Sequence, residues 1–151
     1  MRKLIASLSI TVALSACQKE EVSSSDLNTN PTTNNMTPTT GTFNPTGQTL
    51  LLQGNFENSG SYRTSGVAKI YEDKDKKRTL VLEDFKTNAG PDLRIYIAED
   101  RSVTNFIQLT DKVQNGNLVL AIPANADLKK QNHVLIWCKQ FAVLFGFAPL
   151  K

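Results

Sequence analysis

The chain has 151 residues, 40% of them hydrophobic and 21% charged, with a formal net charge of +3 that falls to +1 once Arg2 and Lys3 leave with a leader. That balance excludes nucleic acid as a partner, which would call for a basic face or interleaved aromatic and basic residues. It also excludes a multidomain chain: the ordered-looking part has room for one core.

In chain order, Arg2 and Lys3 precede an apolar run from Leu4 to Leu14, 11 residues that fit the h-region of a signal peptide and fall short of a membrane span. The run ends in Leu14-Ser15-Ala16-Cys17, which resembles the lipobox of bacterial lipoproteins. This resemblance implies cleavage after residue 16 and a lipid anchor at Cys17, with two or three acyl chains. At about 0.8 kcal/mol per buried CH₂, such chains anchor the protein to a membrane without spanning it. Gln18-Lys19-Glu20-Glu21 resembles the Lys-acid-acid signal that sends some lipoproteins to the outer face of the bacterial outer membrane. From Val22 to Gln48, Ser, Thr, Asn and Pro dominate and apolar residues are isolated. A stretch of that kind cannot offset its ordering entropy by burial, so residues 17–48 are expected to form a flexible linker reaching roughly 30 Å.

Residues 49–151 carry the expected domain. Short runs rich in Val, Ile, Leu and aromatics, bounded by turn residues, predict strands at Thr49–Glu57, Gly66–Glu72, Arg78–Phe85, Asp92–Ala98, Phe106–Leu109, Asn117–Ile122, His133–Cys138 and Phe141–Phe147. No segment keeps a helical period over three turns. The fold class is therefore all-β, a single β-sandwich or barrel-like domain of about eight short strands. Asp73-Lys74-Asp75-Lys76-Lys77-Arg78 predicts a solvated hairpin loop; Asn58-Ser59-Gly60-Ser61 and Asn115-Gly116 predict tight turns, the latter joining Lys112–Gln114 to the next strand. Asp127 is placed to cap one short turn before His133.

Alternation assigns faces. Leu93, Ile95 and Ile97 share one, opposite Arg94 and Tyr96. Val134, Ile136 and Cys138 share one face while Leu135 and Trp137 take the other, so this strand is apolar on both sides and expected to be central. Phe141, Val143, Phe145 and Phe147 are expected to line one face of the last strand.

The chemistry narrows to few residues. The chain has no Cys-x-x-Cys, no haem-attachment Cys-x-x-Cys-His, no His-Glu-x-x-His, no Gly-x-Ser-x-Gly and no phosphate-cradling glycine loop. His133, the sole histidine, is five residues from Cys138, and an odd separation along a strand sets them on opposite faces, against a Cys-His dyad or a shared metal site. With Cys17 committed to lipid, Cys138 is an unpaired thiol in an oxidising compartment. Periodicity alone makes it a small buried hydrophobe; its compartment suggests that it is either hidden or used.

Gly90-Pro91-Asp92-Leu93 with Ile95-Tyr96-Ile97, and the run from Val134 to Gly146 containing Trp137-Cys138-Lys139-Gln140-Phe141, resemble the electron-transfer DM-thirteen domain. Gly54-Asn55-Phe56, Thr64-Ser65-Gly66, Leu80 to Phe85 and Ile122-Pro123 add to the resemblance, which covers residues 49–151. It implies a β-rich extracytoplasmic redox module whose single cysteine, here Cys138, acts as a bare thiol or holds a prosthetic group such as haem as an axial ligand. It also implies a separate redox partner protein, because the chain carries no second redox domain. Asp92 has a structural reading, a turn carboxylate bonding backbone N–H groups, and a functional one, a group near Cys138 that tunes the thiol or steadies a cofactor. The rival to the redox reading is a non-catalytic binding or adhesion domain with Cys138 as a core residue.

Overall fold

The computed structural model describes residues 35–151; the expected signal segment, Cys17 and the expected linker up to residue 34 lie outside the described residues. Ten strands follow in order: β1 (Thr39–Thr40), β2 (Thr49–Asn55), β3 (Glu57–Asn58), β4 (Thr64–Glu72), β5 (Arg78–Thr87), β6 (Leu93–Ala98), β7 (Ile107–Thr110), β8 (Gly116–Ile122), β9 (His133–Cys138) and β10 (Val143–Pro149). They form two antiparallel five-stranded sheets, β1-β8-β5-β4-β2 and β3-β10-β9-β6-β7, packed as a sandwich with no helix among the described residues. The eight expected strands recur with ends moved by no more than two residues, and the two short strands β1 and β3 are additional.

Alternation explains the packing. Ala68 and Ile70 of β4, Leu80 and Leu82 of β5, and Leu118 and Leu120 of β8 point inward from the first sheet. They meet Leu93, Ile95 and Ile97 of β6 and Val134, Ile136 and Cys138 of β9. Each fully buried aliphatic side chain contributes about 1.5–3 kcal/mol relative to exposure. The opposite face of the second sheet is not a solvent face: Tyr96, Ala98, Leu135 and Phe147 form a second buried cluster, covered by Val103 and Phe106 of the β6–β7 loop. Phe106 stacks on Tyr96 with centroids 4.5 Å apart, and the Arg101 guanidinium sits 3.9 Å over the Phe147 ring. β9, apolar on both sides, is the middle strand of that sheet.

Two expectations need correction. A register shift in β10 between Leu144 and Gly146 breaks its alternation. Phe145 consequently enters the main core while Phe147 joins the outer cluster, and Phe141 lies in the preceding turn, 57% exposed. The extra residue of a bulge reverses the facing of everything beyond it. Nor does Asn115-Gly116 close a hairpin from Lys112–Gln114: β7 and β8 belong to different sheets, and residues 111–115 cross between them.

Residues 35–48, which the sequence places in the linker, lie against the sandwich as a strap. The Met36 N–H donates to Leu109 O of β7 at 3.0 Å, while Thr39 and Thr40 pair with Val119 and Leu118 of β8. Phe43 then packs on Tyr71 of β4, centroids 4.9 Å apart, on the outer side of the first sheet. The strap thus covers apolar surface that the strands leave open.

Candidate functional site

Cys138 is the last residue of β9, fully buried, with Leu93 of β6 and Val143 of β10 as its partners in register. Directly paired residues share a face with Cβ atoms about 4.5–5.5 Å apart, so both aliphatic side chains flank the sulfur within the core. Beyond it the chain turns at once into an exposed four-residue hairpin, Lys139 to Ala142. The turn is held by the Lys139 N–H donating to Asp92 O at 2.9 Å, and Ala142 takes φ +51°, the left-handed region that tight reversals use. The Lys139 side chain is exposed and does not share the thiol's enclosed setting.

Asp92 sits beside the end of β9 through its backbone, but its carboxylate faces elsewhere. Asp92 Oδ1 accepts the Arg94 Nε hydrogen bond at 2.6 Å and pairs with the same guanidinium through a second nitrogen. Arg94 also reaches Asp111 Oδ2 at 3.5 Å, and Asp111 takes hydrogen bonds from and to Asn35. Burial pushes the Asp111 carboxyl up, but the Asn35 amide, Lys112 and Arg94 together outweigh it and hold that carboxyl below its ordinary value. Arg94 pairs in register with Trp137 on the outer side of the sheet, opposite the face Cys138 uses. The carboxylate is not aimed at the thiol, and it bonds the Arg94 guanidinium where the sequence reading placed backbone N–H groups: its role in the structure is to order Arg94.

These charged residues line a polar cleft of about 480 Å³ between the 87–94 and 111–115 segments. Leu93 belongs to the cleft wall and is also the in-register neighbour of Cys138, so its side chain forms part of the partition between the cleft and the sulfur. Sequence reasoning singled out neither Arg94, Asp111 and Lys112 as a group nor Leu93 as a partition. The available signal was Arg94 alternating with core residues on an otherwise apolar strand.

One implied chemistry, haem ligation by Cys138, lacks room. Cys138 does not line the 480 Å³ cleft or three other surface clefts among the described residues, and its sulfur is enclosed by packed aliphatic residues, so a haem does not fit beside it in this packing. His133 starts the same strand that Cys138 ends, about 17 Å away at strand rise. Among the described residues no three His, Cys, Asp or Glu side chains are grouped to hold a metal ion.

The comparison with protein families matches residues 55–150 to the family described as Electron transfer DM13. The chain belongs to the DM13 electron-transfer family. A general redox role comes with that membership. The DM13 match spans nine of the ten strands in whole or in part but leaves out the strap and nearly all of β2. No curated protein and no solved structure matches the chain.

Proposed function

We propose that this DM13 protein is a membrane-anchored, extracytoplasmic electron-transfer module, lipidated at Cys17 and working through the bare thiol of Cys138. The lipobox-like Leu14-Ser15-Ala16-Cys17 supports the anchor, and Lys19-Glu20-Glu21 supports the outer membrane as its location. The observation that carries the thiol is its position: the domain's one cysteine ends a central strand, one residue from an exposed turn and behind the Leu93 wall of a charged cleft. Enclosure argues against disulfide exchange, which requires a second sulfur to approach the first. It favours a one-electron step. The S–H group gives one electron to a separate acceptor protein and its proton to solvent water on the cleft side of Leu93, and both return on reduction.

Full burial equally favours a second reading, a binding or adhesion domain in which Cys138 only fills space, since free cysteine is commonly a core residue. Film voltammetry of residues 18–151, with and without Cys138→Ala, separates the two. A redox wave that disappears in the variant supports the thiol. A silent protein whose thiol reacts with reagents only after denaturation, and whose variant loses stability alone, leaves the binding reading. Palmitate labelling abolished by Cys17→Ala is the expected result for the anchor, and unchanged processing would remove it.

A further inference from the structure

Among the described residues Phe141 is the most exposed of the large hydrophobics, more so than Leu50 or Leu51. It stands in a turn that is fixed at both ends: Lys139 is hydrogen-bonded to Asp92 O, and Ala142 N–H reaches back to Lys139 O at 3.4 Å. A large aromatic held outward by a pinned turn keeps its exposed area without a compensating contact in the monomer.

The first described residue lies at the same end of the sandwich. A chain of contacts leads from Asn35 to Asp111, from Asp111 to Arg94, from Arg94 to Asp92 and from Asp92 to Lys139. The described chain therefore begins at the end of the sandwich that carries Phe141. Because the strap occupies residues 35–48, 17 residues separate Cys17 from Asn35, not the 31 that reach the start of β2. The same end exposes Arg63, Lys86 and Lys139 against the exposed carboxylate of Asp84; Lys112 is exposed as well but pairs with Asp111 at 3.4 Å, and Asp92 and Asp111 are engaged by Arg94.

From these placements we infer that the Lys139–Ala142 turn is a membrane contact: Phe141 enters the interfacial layer of an anionic bilayer and the surrounding cations meet its head groups. Aromatic residues favour that layer, and basic side chains add attraction to anionic lipid. The inference rests on the proposed anchor, which keeps the turn near the surface so that one aromatic suffices where a free protein would need more. Its consequence is an orientation. The thiol-bearing end faces the lipid, and the end carrying His133 and the β4–β5 loop faces away.

The test places a reporter at the turn. The lipidated full-length Trp137→Phe/Phe141→Trp chain has a single indole, since Trp137 is the only tryptophan. It is reconstituted into vesicles of phosphatidylethanolamine with phosphatidylglycerol, and into vesicles of phosphatidylcholine alone. A blue-shifted emission quenched by lipids brominated high on the acyl chain, stronger with phosphatidylglycerol and weakened in the added Lys139→Glu variant, supports the contact. Solvent-like, unquenched emission while palmitate is present at Cys17 overturns the contact and leaves the anchor standing. Absence of palmitate overturns the anchor and the contact with it. Emission that stays solvent-like in vesicles but shifts when a redox acceptor protein is added assigns the turn to protein docking and overturns the lipid contact.

Discussion

The second sheet covers its outer face with its own β6–β7 loop, Val103 and Phe106 sealing Tyr96, Leu135 and Phe147, whereas the first borrows a strap from residues upstream of the DM13 match. The sheet that holds Cys138 is thus closed on both sides by residues the family match includes. The other is closed on its outer side by a segment that the match leaves out. The difference separates what the thiol needs, two apolar layers around its strand, from what the N-terminal segment adds.

Breaking the outer cluster gives the largest effect. Leu135→Ala should cost about 2–5 kcal/mol in denaturant unfolding, because Leu135 is fully buried and a strand in mid-sheet collapses poorly around a cavity. A cost near zero would mean that the loop repacks, and that the second sheet is no better sealed than the first. Next is the seam between the sheets, where a Cβ on Gly146 would lie within 2.3 Å of the Thr64 side chain, whose hydroxyl donates to Phe145 O. Gly146→Ala should destabilise by about 1–3 kcal/mol through overpacking. Placing Thr64→Gly in the same chain should relieve the overpacking part of that cost.

The smallest effect tests the strap alone. Asp111 has a carboxyl held below its ordinary value, so its contribution is complete above the unfolded-state value near pH 3.9 and fades as pH falls through the lower folded one. Hydrogen exchange at the Met36 amide should accelerate relative to core amides across that acid window, and Asp111→Asn should remove the pH dependence. Equal protection of the Met36 and β9 amides throughout would show that the strap is as firmly held as the second sheet.

Most of the fold was legible because strands were short, bounded by turn residues and patterned at period two; the burial of Cys138 follows from its sharing a face with Val134 and Ile136. Legibility failed where one residue changed the count or where pairing was brief. The bulge in β10 parts Phe145 from Phe147, which strict alternation placed together. β1 involves only Thr39 and Thr40 in a polar stretch, and the isolated Met36 and Phe43 were the faint marks of a segment that binds. The candidate site was half visible. Cys138 and Asp92 are neighbours through Leu93 and Lys139, but the aim of the Asp92 carboxylate depends on Arg94 and Asp111, 17 residues apart by number and brought together by the β6–β7 pairing.

The strap also has a mechanical meaning. Residues 35–40 are stitched to β7 of one sheet and β8 of the other, so a pull on the upstream chain acts first on these few hydrogen bonds and not on the core. Peeling the segment from Asn35 to Gln48 would pay out 14 residues, about 45–50 Å of extra length, while β4 to β10 stay folded. The domain thereby carries an extensible reserve at its point of attachment, a length that shear can draw on without exposing the thiol.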